Sequence, residues 1–317
     1  MSNETAFPLV VAEREIAADG VITLTLRDAG GAALPAWEPG AHVDLVLEAA
    51  MVRQYSLCGN PADRYSYQIG VLREPRSRGG SIHVHDRLSL GSTVLVRGPR
   101  NNFRLLPSAR YLFIAGGIGI TPLVPMIASV SAAGSKWRLV YGGRTRASMA
   151  FADQLLARYG EKISIRPQDL HGLLDLPSIL QEPAEETLVY CCGPEPLLAA
   201  VEQHCATWTR GALHVERFSA KPAETARINS AFEVQLILSG KTIMVPADKS
   251  VLETLQEAGV EVMWACSEGV CRTCETTVIS GTIDHRDSVL SEEERAAHDR
   301  MMICVSRAAC PRLVLQL

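Results

Sequence analysis

The chain has no basic run, and with 31 Lys and Arg against 35 Asp and Glu its formal charge is only -4. Nucleic-acid backbones are bound by clustered Lys and Arg, so a nucleic-acid partner is not expected. The first residues contain no basic n-region, apolar h-region or small-residue cleavage site, so the nine cysteines are read as thiols of a reducing compartment, and a cytoplasmic location is expected. There is no internal repeat and no low-complexity tract. Long charge-free runs are also scarce. One stretch, residues 111–130, has the length of a bilayer span, but its centre reads GGIGITP and no basic flank marks a topology. A glycine-rich turn followed by Pro122 suits a strand, a loop and a helix start, so no membrane association is expected.

At 317 residues and 47% hydrophobic content, the chain can build two or three domains with cores of their own. Short alternating runs at 9–12, 21–26, 42–47, 65–72 and 93–96, separated by Gly, Pro and Asp, predict a closed antiparallel barrel over residues 1–104. From residue 105 to 221 apolar strands such as YLFIA and WRLVYGG alternate with helical stretches, which predicts a parallel sheet with helices on both faces. The stretch 220–227 has almost no large apolar residue, and 222–230 reads as a linker. In 231–317 a hairpin pattern precedes Ser250 and Glu253, a capping box that opens a helix ended by Gly259.

Cys266, Cys271 and Cys274 follow C-x4-C-x2-C, and Cys304 comes after 29 intervening residues. That is the plant-type spacing for a [2Fe-2S] cluster, in which three thiolates come from one loop and the fourth from a distant segment. Gly269 lies inside the loop and supplies the positive φ that lets backbone N-H groups turn toward sulfur. Zinc is the weaker alternative, because there is no second C-x2-C pair and His285 and His298 fall at no matching interval. Cys58, Cys191, Cys192, Cys205 and Cys310 are expected to be small core residues.

Other motifs are individually ambiguous. Arg53 and Tyr55 share one face of a strand, where they could clamp an anion and offer a stacking surface, or simply be a strand pair. Gly79, Gly80 and Ser81 precede a short helix and could cradle a phosphate, or be a surface turn. Gly117, Gly119 and Thr121 lie in a turn that could approach a pyrophosphate, although the spacing is not G-x-G-x-x-G. Cys192, Gly193 and Pro194 end a later strand, where ligands of open α/β sheets bind or where the chain merely turns.

Taken in order, RQYSL, RGGS, GGIGITP, YGGR, CCGPEPL, the cysteine cluster and DHRDSVLSEEE resemble the phthalate dioxygenase reductase family, which includes vanillate demethylase reductases, over essentially the whole chain. The resemblance implies a flavin-binding barrel, an NAD-binding α/β domain and a β-grasp ferredoxin domain. It implies that Arg53, Tyr55 and Ser56 contact FMN, that Gly79, Gly80 and Ser81 hold its phosphate, and that Phe218 packs on its ring. Gly117, Gly119, Thr121 and Arg144 would bind the dinucleotide, with Cys192, Gly193 and Pro194 near the nicotinamide. Ser56 and Cys192 would stand nearest the hydride transfer.

Two positions depart from the family pattern. Arg272 replaces a small residue after the second cluster ligand and would raise the cluster potential by adding positive charge. The segment Gln168-Asp169-Leu170-His171 keeps little of the usual acidic pattern, and Arg144 with Arg146 could accept a 2'-phosphate, so NADH is preferred over NADPH on likeness alone. The implied activity is electron transfer from NADH through FMN and the cluster to a Rieske non-haem iron oxygenase, by a chain expected to be a monomer. The alternatives are a reductase for a haem-thiolate monooxygenase and a redox-sensing module.

Overall fold

The computed structural model describes residues 6–48, 51–75, 78–181, 186–221 and 228–317. The chain divides into two compact units, 1–216 and 217–317. The first unit contains two sheets.

Strands β1 (Phe7–Ala18), β2 (Val21–Arg27), β3 (Ala41–Glu48), β4 (Met51–Ser56), β5 (Tyr67–Leu72) and β6 (Thr93–Asn101) form an antiparallel sheet in the order β4-β3-β6-β1-β2-β5. A bridge between Leu57 and Ile69 joins its two ends, which closes the barrel and leaves no long edge to be managed. Alternation sends Leu9, Val11, Leu24, Val43, Leu45 and Val96 into one apolar core. Helix α1 (Gly80–Arg87) lies between β5 and β6 in the chain and turns only Gly80 and Val84 fully inward.

The second sheet is parallel throughout. Its strands β7 (Arg110–Gly116), β8 (Lys136–Gly143), β9 (Ile163–Pro167), β10 (Thr187–Cys192) and β11 (Leu213–Glu216) are ordered β11-β10-β7-β8-β9. The connecting helices are α2 (Leu123–Ala132), α3 (Ala152–Tyr159), α4 (Gln168–His171), α5 (Leu176–Ile179) and α6 (Glu195–His204). One face packs Phe113, Leu139 and Tyr141 against Met126, Ile127 and Leu155, and the other packs Ile114, Val140 and Cys191 against Leu176, Leu198 and Val201. The sheet is therefore covered on both sides, as all-parallel sheets require. The chain moves outward through β8 and β9 and then returns to lay β10 beside β7. That reversal makes the crevice at the carboxyl ends of β7 and β10 a natural ligand site. The apolar run 111–130 folds as β7, a 3-10 turn at Gly117–Ile120 and α2. Among the described residues no helix is long and apolar enough to cross a membrane.

The second unit contains β12 (Phe232–Leu236), β13 (Thr242–Val245), α7 (Val251–Glu257), β14 (Glu275–Ser280), β15 (Ile283–Asp284), α8 (Glu292–Ala297), β16 (Arg300–Met302), β17 (Arg307–Ala308) and β18 (Arg312–Leu315). The order β13-β12-β18-β14-β16, with β18 returning parallel beside β12, is the β-grasp arrangement. Ser250 Oγ accepts from Glu253 N at 3.1 Å and the Glu253 carboxylate accepts from Ser250 N at 2.8 Å, completing the expected capping box. Of the expected linker, residues 222–227 lie outside the described residues. Cys58, Cys191, Cys192 and Cys205 are buried as expected, whereas Cys310 is only half-buried and its sulfur accepts from Thr282 N at 3.1 Å.

Candidate functional site

In the barrel, Arg53 of β4 lies against the start of α1, an arrangement that could hold an anion. Arg53 donates from Nη1 to Val52 O and from Nη2 to Arg78 O, both at 2.8 Å, so its guanidinium is fixed beside the helix start. Gly79 caps α1 at φ 83, and a Cβ on Gly80 would stand 2.4 Å from Arg53 Cγ and 2.5 Å from Nε. Only glycine lets the guanidinium lie across that helix end, where the first N-H groups and the helix dipole already favour negative charge. Ser81 Oγ accepts from Glu74 N at 3.1 Å and anchors the preceding turn. Tyr55 leans on the barrel core, and burial raises its phenol above the usual range. A cationic clamp, a helix N-terminus and an aromatic on one strand end fit a flavin mononucleotide with its phosphate in the cradle.

The switch-point crevice is formed by direct backbone contact. A Cβ on Gly119 would meet Cys192 O at 2.3 Å and Gly193 N at 2.6 Å, and one on Gly116 would meet Pro194 Cδ at 2.6 Å. Glycines are needed here because the turn after β7 presses on the turn after β10. Gly117 (φ 54) has open space around its Cα, so this is where a ligand can reach the backbone. Tyr141 holds the turn from beneath, donating to Gly117 O at 3.0 Å. The structure places Thr121 under the turn rather than on the crevice wall: it is buried, its hydroxyl donates to Ile118 O at 3.0 Å, and its methyl group abuts Gly70. Arg144 is exposed just past the end of β8, and its carbonyl accepts from Asp169 N at 3.2 Å.

The barrel and the parallel sheet meet at a residue that sequence reasoning missed. Ser56 Oγ donates to Glu216 Oε2 at 3.3 Å, and Cys192 Sγ points at the same oxygen from 4.0 Å. Burial pushes Glu216 up to about 8, against a lowering hydrogen bond from Ser56. Burial, then the neighbouring Glu216 carboxylate, raises the Cys192 thiol far above its ordinary range, so it is a neutral group and not a nucleophile. The only local signal for Glu216 was a carboxylate ending the apolar strand LHVE.

In the second unit Cys266, Cys271, Cys274 and Cys304 are all buried, with exposures of 8%, 1%, 4% and 8%. The thiol of Cys266 is within hydrogen-bond reach of both Cys271 and Cys304, and Cys304 also reaches Cys274. Gly269 takes φ 68 as expected, with Ser267 at φ 55 and Arg272 at φ 60, and this left-handed curl turns N-H groups inward. Glu268 N donates to Cys266 Sγ at 3.3 Å, while Val270 and Gly269 direct N-H groups at Cys266 and Cys304. The bond with Cys266 and then burial hold the Cys271 thiol far above its ordinary range, an arrangement that only metal charge would reverse. Four converging thiols with inward N-H donors fit a [2Fe-2S] cluster.

Arg272 does not bring uncompensated positive charge. Its guanidinium pairs with Glu275 at 3.1 Å and Glu294 at 2.5 Å and donates to Val289 O at 3.3 Å. It ties the cysteine loop to α8, with its charge paired to two carboxylates. Phe218 is the second residue of the second unit and is 43% exposed.

A profile of the 2Fe-2S iron-sulfur cluster binding domain matches residues 236–309. Phenoxybenzoate dioxygenase subunit beta of Ectopseudomonas oleovorans is 42% identical over 302 residues, covering 95% of this chain and 94% of the relative. A solved phthalate dioxygenase reductase, described as a modular structure for electron transfer from pyridine nucleotides to [2Fe-2S], is 37% identical with TM-score 0.73 and 98% of both chains covered. An intact type IV self-sufficient cytochrome P450 monooxygenase is 45% identical with TM-score 0.91, covering 98% of this chain but 41% of that longer one.

Proposed function

This chain belongs to the phthalate dioxygenase reductase family, and on that premise we propose that it moves electrons from NADH through FMN and a [2Fe-2S] cluster to a terminal oxygenase of the Rieske non-haem iron type. The observation that carries the reading is the burial of four thiols from two distant segments around one point, in a chain whose other unit joins an anion cradle to a switch-point crevice. FMN supplies the conversion of a hydride's electron pair into single electrons, and the protein supplies position and environment.

Each part of the chain has a definable task in this reading. Arg53, Gly79, Gly80 and Ser81 hold the flavin phosphate, and Tyr55 offers aromatic surface to the ring. Gly117 admits the pyrophosphate against backbone, Gly119 lets its turn pack on the turn after β10, Thr121 props the turn from below, and Arg144 reaches the adenosine end. Gly193 and Pro194 hold the nicotinamide edge. Ser56 and Cys192 line the point of hydride transfer, and Glu216 fixes both. Because Glu216 is pushed up to about 8, it holds its proton near neutral pH and adds no charge beside the reacting groups. The chain acts as a monomer and prefers NADH.

A second reading has its own support. The 45% identity to a self-sufficient P450 makes a haem-thiolate monooxygenase the alternative acceptor. The two separate in one assay, NADH oxidation by the purified chain with either a Rieske oxygenase or a haem-thiolate monooxygenase present. Catalytic turnover with the Rieske protein is expected. Turnover with the haem protein alone would transfer the role, and consumption of only stoichiometric NADH with both would leave a sensor rather than a reductase.

A further inference from the structure

Asp287 lies in the DHRDS segment, to which the electron-transfer reading assigns no task. Its side chain is fully buried. Oδ2 accepts from Leu290 N at 2.9 Å and Val289 N at 3.3 Å, and Oδ1 accepts from Ser306 Oγ at 3.4 Å. The groups facing the carboxylate are His285, with Nδ1 at 3.5 Å from Oδ1, and Arg295, with Nη2 at 3.6 Å from Oδ2. The Arg295 guanidinium also donates to Asp287 O at 2.5 Å.

These contacts connect the two segments that bear the cluster thiols. Ser306 follows Cys304 by two positions and also accepts from Arg286 N at 3.2 Å. On the other side, Ser288 N donates to Gly269 O at 2.9 Å, inside the three-cysteine loop. A Cβ on Gly269 would stand 2.9 Å from Asp287 Cα and 2.6 Å from Val305 Cγ2, so the loop, the Asp287 turn and the Cys304 segment are packed without slack.

We propose that Asp287 is the positioning residue of the cluster centre: its carboxylate locks the Cys304 segment to the loop of Cys266, Cys271 and Cys274, and its charge, which Arg295 at 3.6 Å only partly offsets and water does not reach, holds the cluster's reduction potential down. The inference rests on the reading of those thiols as [2Fe-2S] ligands. A buried negative charge beside a centre that gains an electron disfavours reduction, and water cannot screen a fully buried carboxylate. Potentials of such clusters respond to net charge and hydrogen bonding in this way.

The test uses the full chain carrying its cofactors. Asp287→Asn keeps the shape and one acceptor oxygen but removes the charge. With iron and acid-labile sulfide at wild-type content, its midpoint potential should shift upward and the reduced-cluster EPR signal should change its g-values. An unchanged potential and spectrum, or a downward shift, overturns the proposal. If that variant fails to fold or to retain the cluster, Ser306→Ala decides: it keeps the charge and loosens only the hold on the Cys304 segment. A changed EPR line shape in loaded S306A protein sustains the clamp, and a wild-type line shape overturns it. Failure of the underlying reading shows itself separately, as wild-type protein without iron and sulfide, and takes the clamp down with it.

Discussion

Ser56 closes a barrel strand and Glu216 closes a strand of the parallel sheet, yet Ser56 Oγ donates to Glu216 Oε2 at 3.3 Å across 160 residues of chain. The same oxygen faces Cys192 Sγ at 4.0 Å. One carboxylate thus joins the edge of the barrel to the crevice at the switch point, and its burial is what makes it informative.

Glu216 is pushed up from 4.5 to about 8 by burial. The folded state therefore binds this proton more tightly than the unfolded chain. Its contribution is full below about pH 4.5 and is lost as pH rises through about 8, at most on the order of 5 kcal/mol over that window. Glu216→Gln should flatten the decline. Thermal melts from pH 5 to pH 8.5 check it: wild-type Tm should fall more steeply than that of E216Q, and parallel slopes would show that Glu216 is not held protonated.

Gly119→Ala should fail by backbone collision, because the new Cβ would sit 2.3 Å from Cys192 O. Overpacking of this kind costs about 1–3 kcal/mol or more. The displaced turn should also weaken NADH binding by roughly tenfold or more, equivalent to about 1.4 kcal/mol. Tm and a titration with NADH read the two effects. Gly117→Ala, at φ 54 with open space around it, should strain the backbone with no such collision.

Cys304→Ser should remove the cluster signal while sparing reactions that draw electrons from the flavin. NADH-dependent reduction of ferricyanide is expected to survive, and reduction of cytochrome c should drop at least about tenfold. Undiminished cytochrome c reduction would mean that electrons leave by another route.

Much of this arrangement was legible in the residues. The barrel and the parallel sheet follow from alternation of period two and apolar runs between helices, which are local signals; in the last unit a hairpin pattern and the capping box at Ser250 were legible, and the β-grasp fold came from the family resemblance. Cys266, Cys271, Cys274 and Cys304 were legible because metal geometry fixes spacing. Glu216, Asp287 and the true role of Arg272 were not. Glu216 meets a partner 160 positions away, Asp287 acts through Gly269 and Ser306, and Arg272 is neutralised by Glu275 and Glu294 on other elements. Cys191 and Cys192 make the same point from neighbouring positions: strand alternation sends the first into one core and turns the second toward Glu216 on the opposite face.

The most direct measurement is anaerobic titration of the purified chain with NADH, followed by absorbance and by EPR. Bleaching of both flavin and iron-sulfur bands, with the EPR signal of a reduced [2Fe-2S] cluster growing as NADH is added, is the predicted result. Flavin bleaching with persistent cluster bands and no EPR signal would contradict the account.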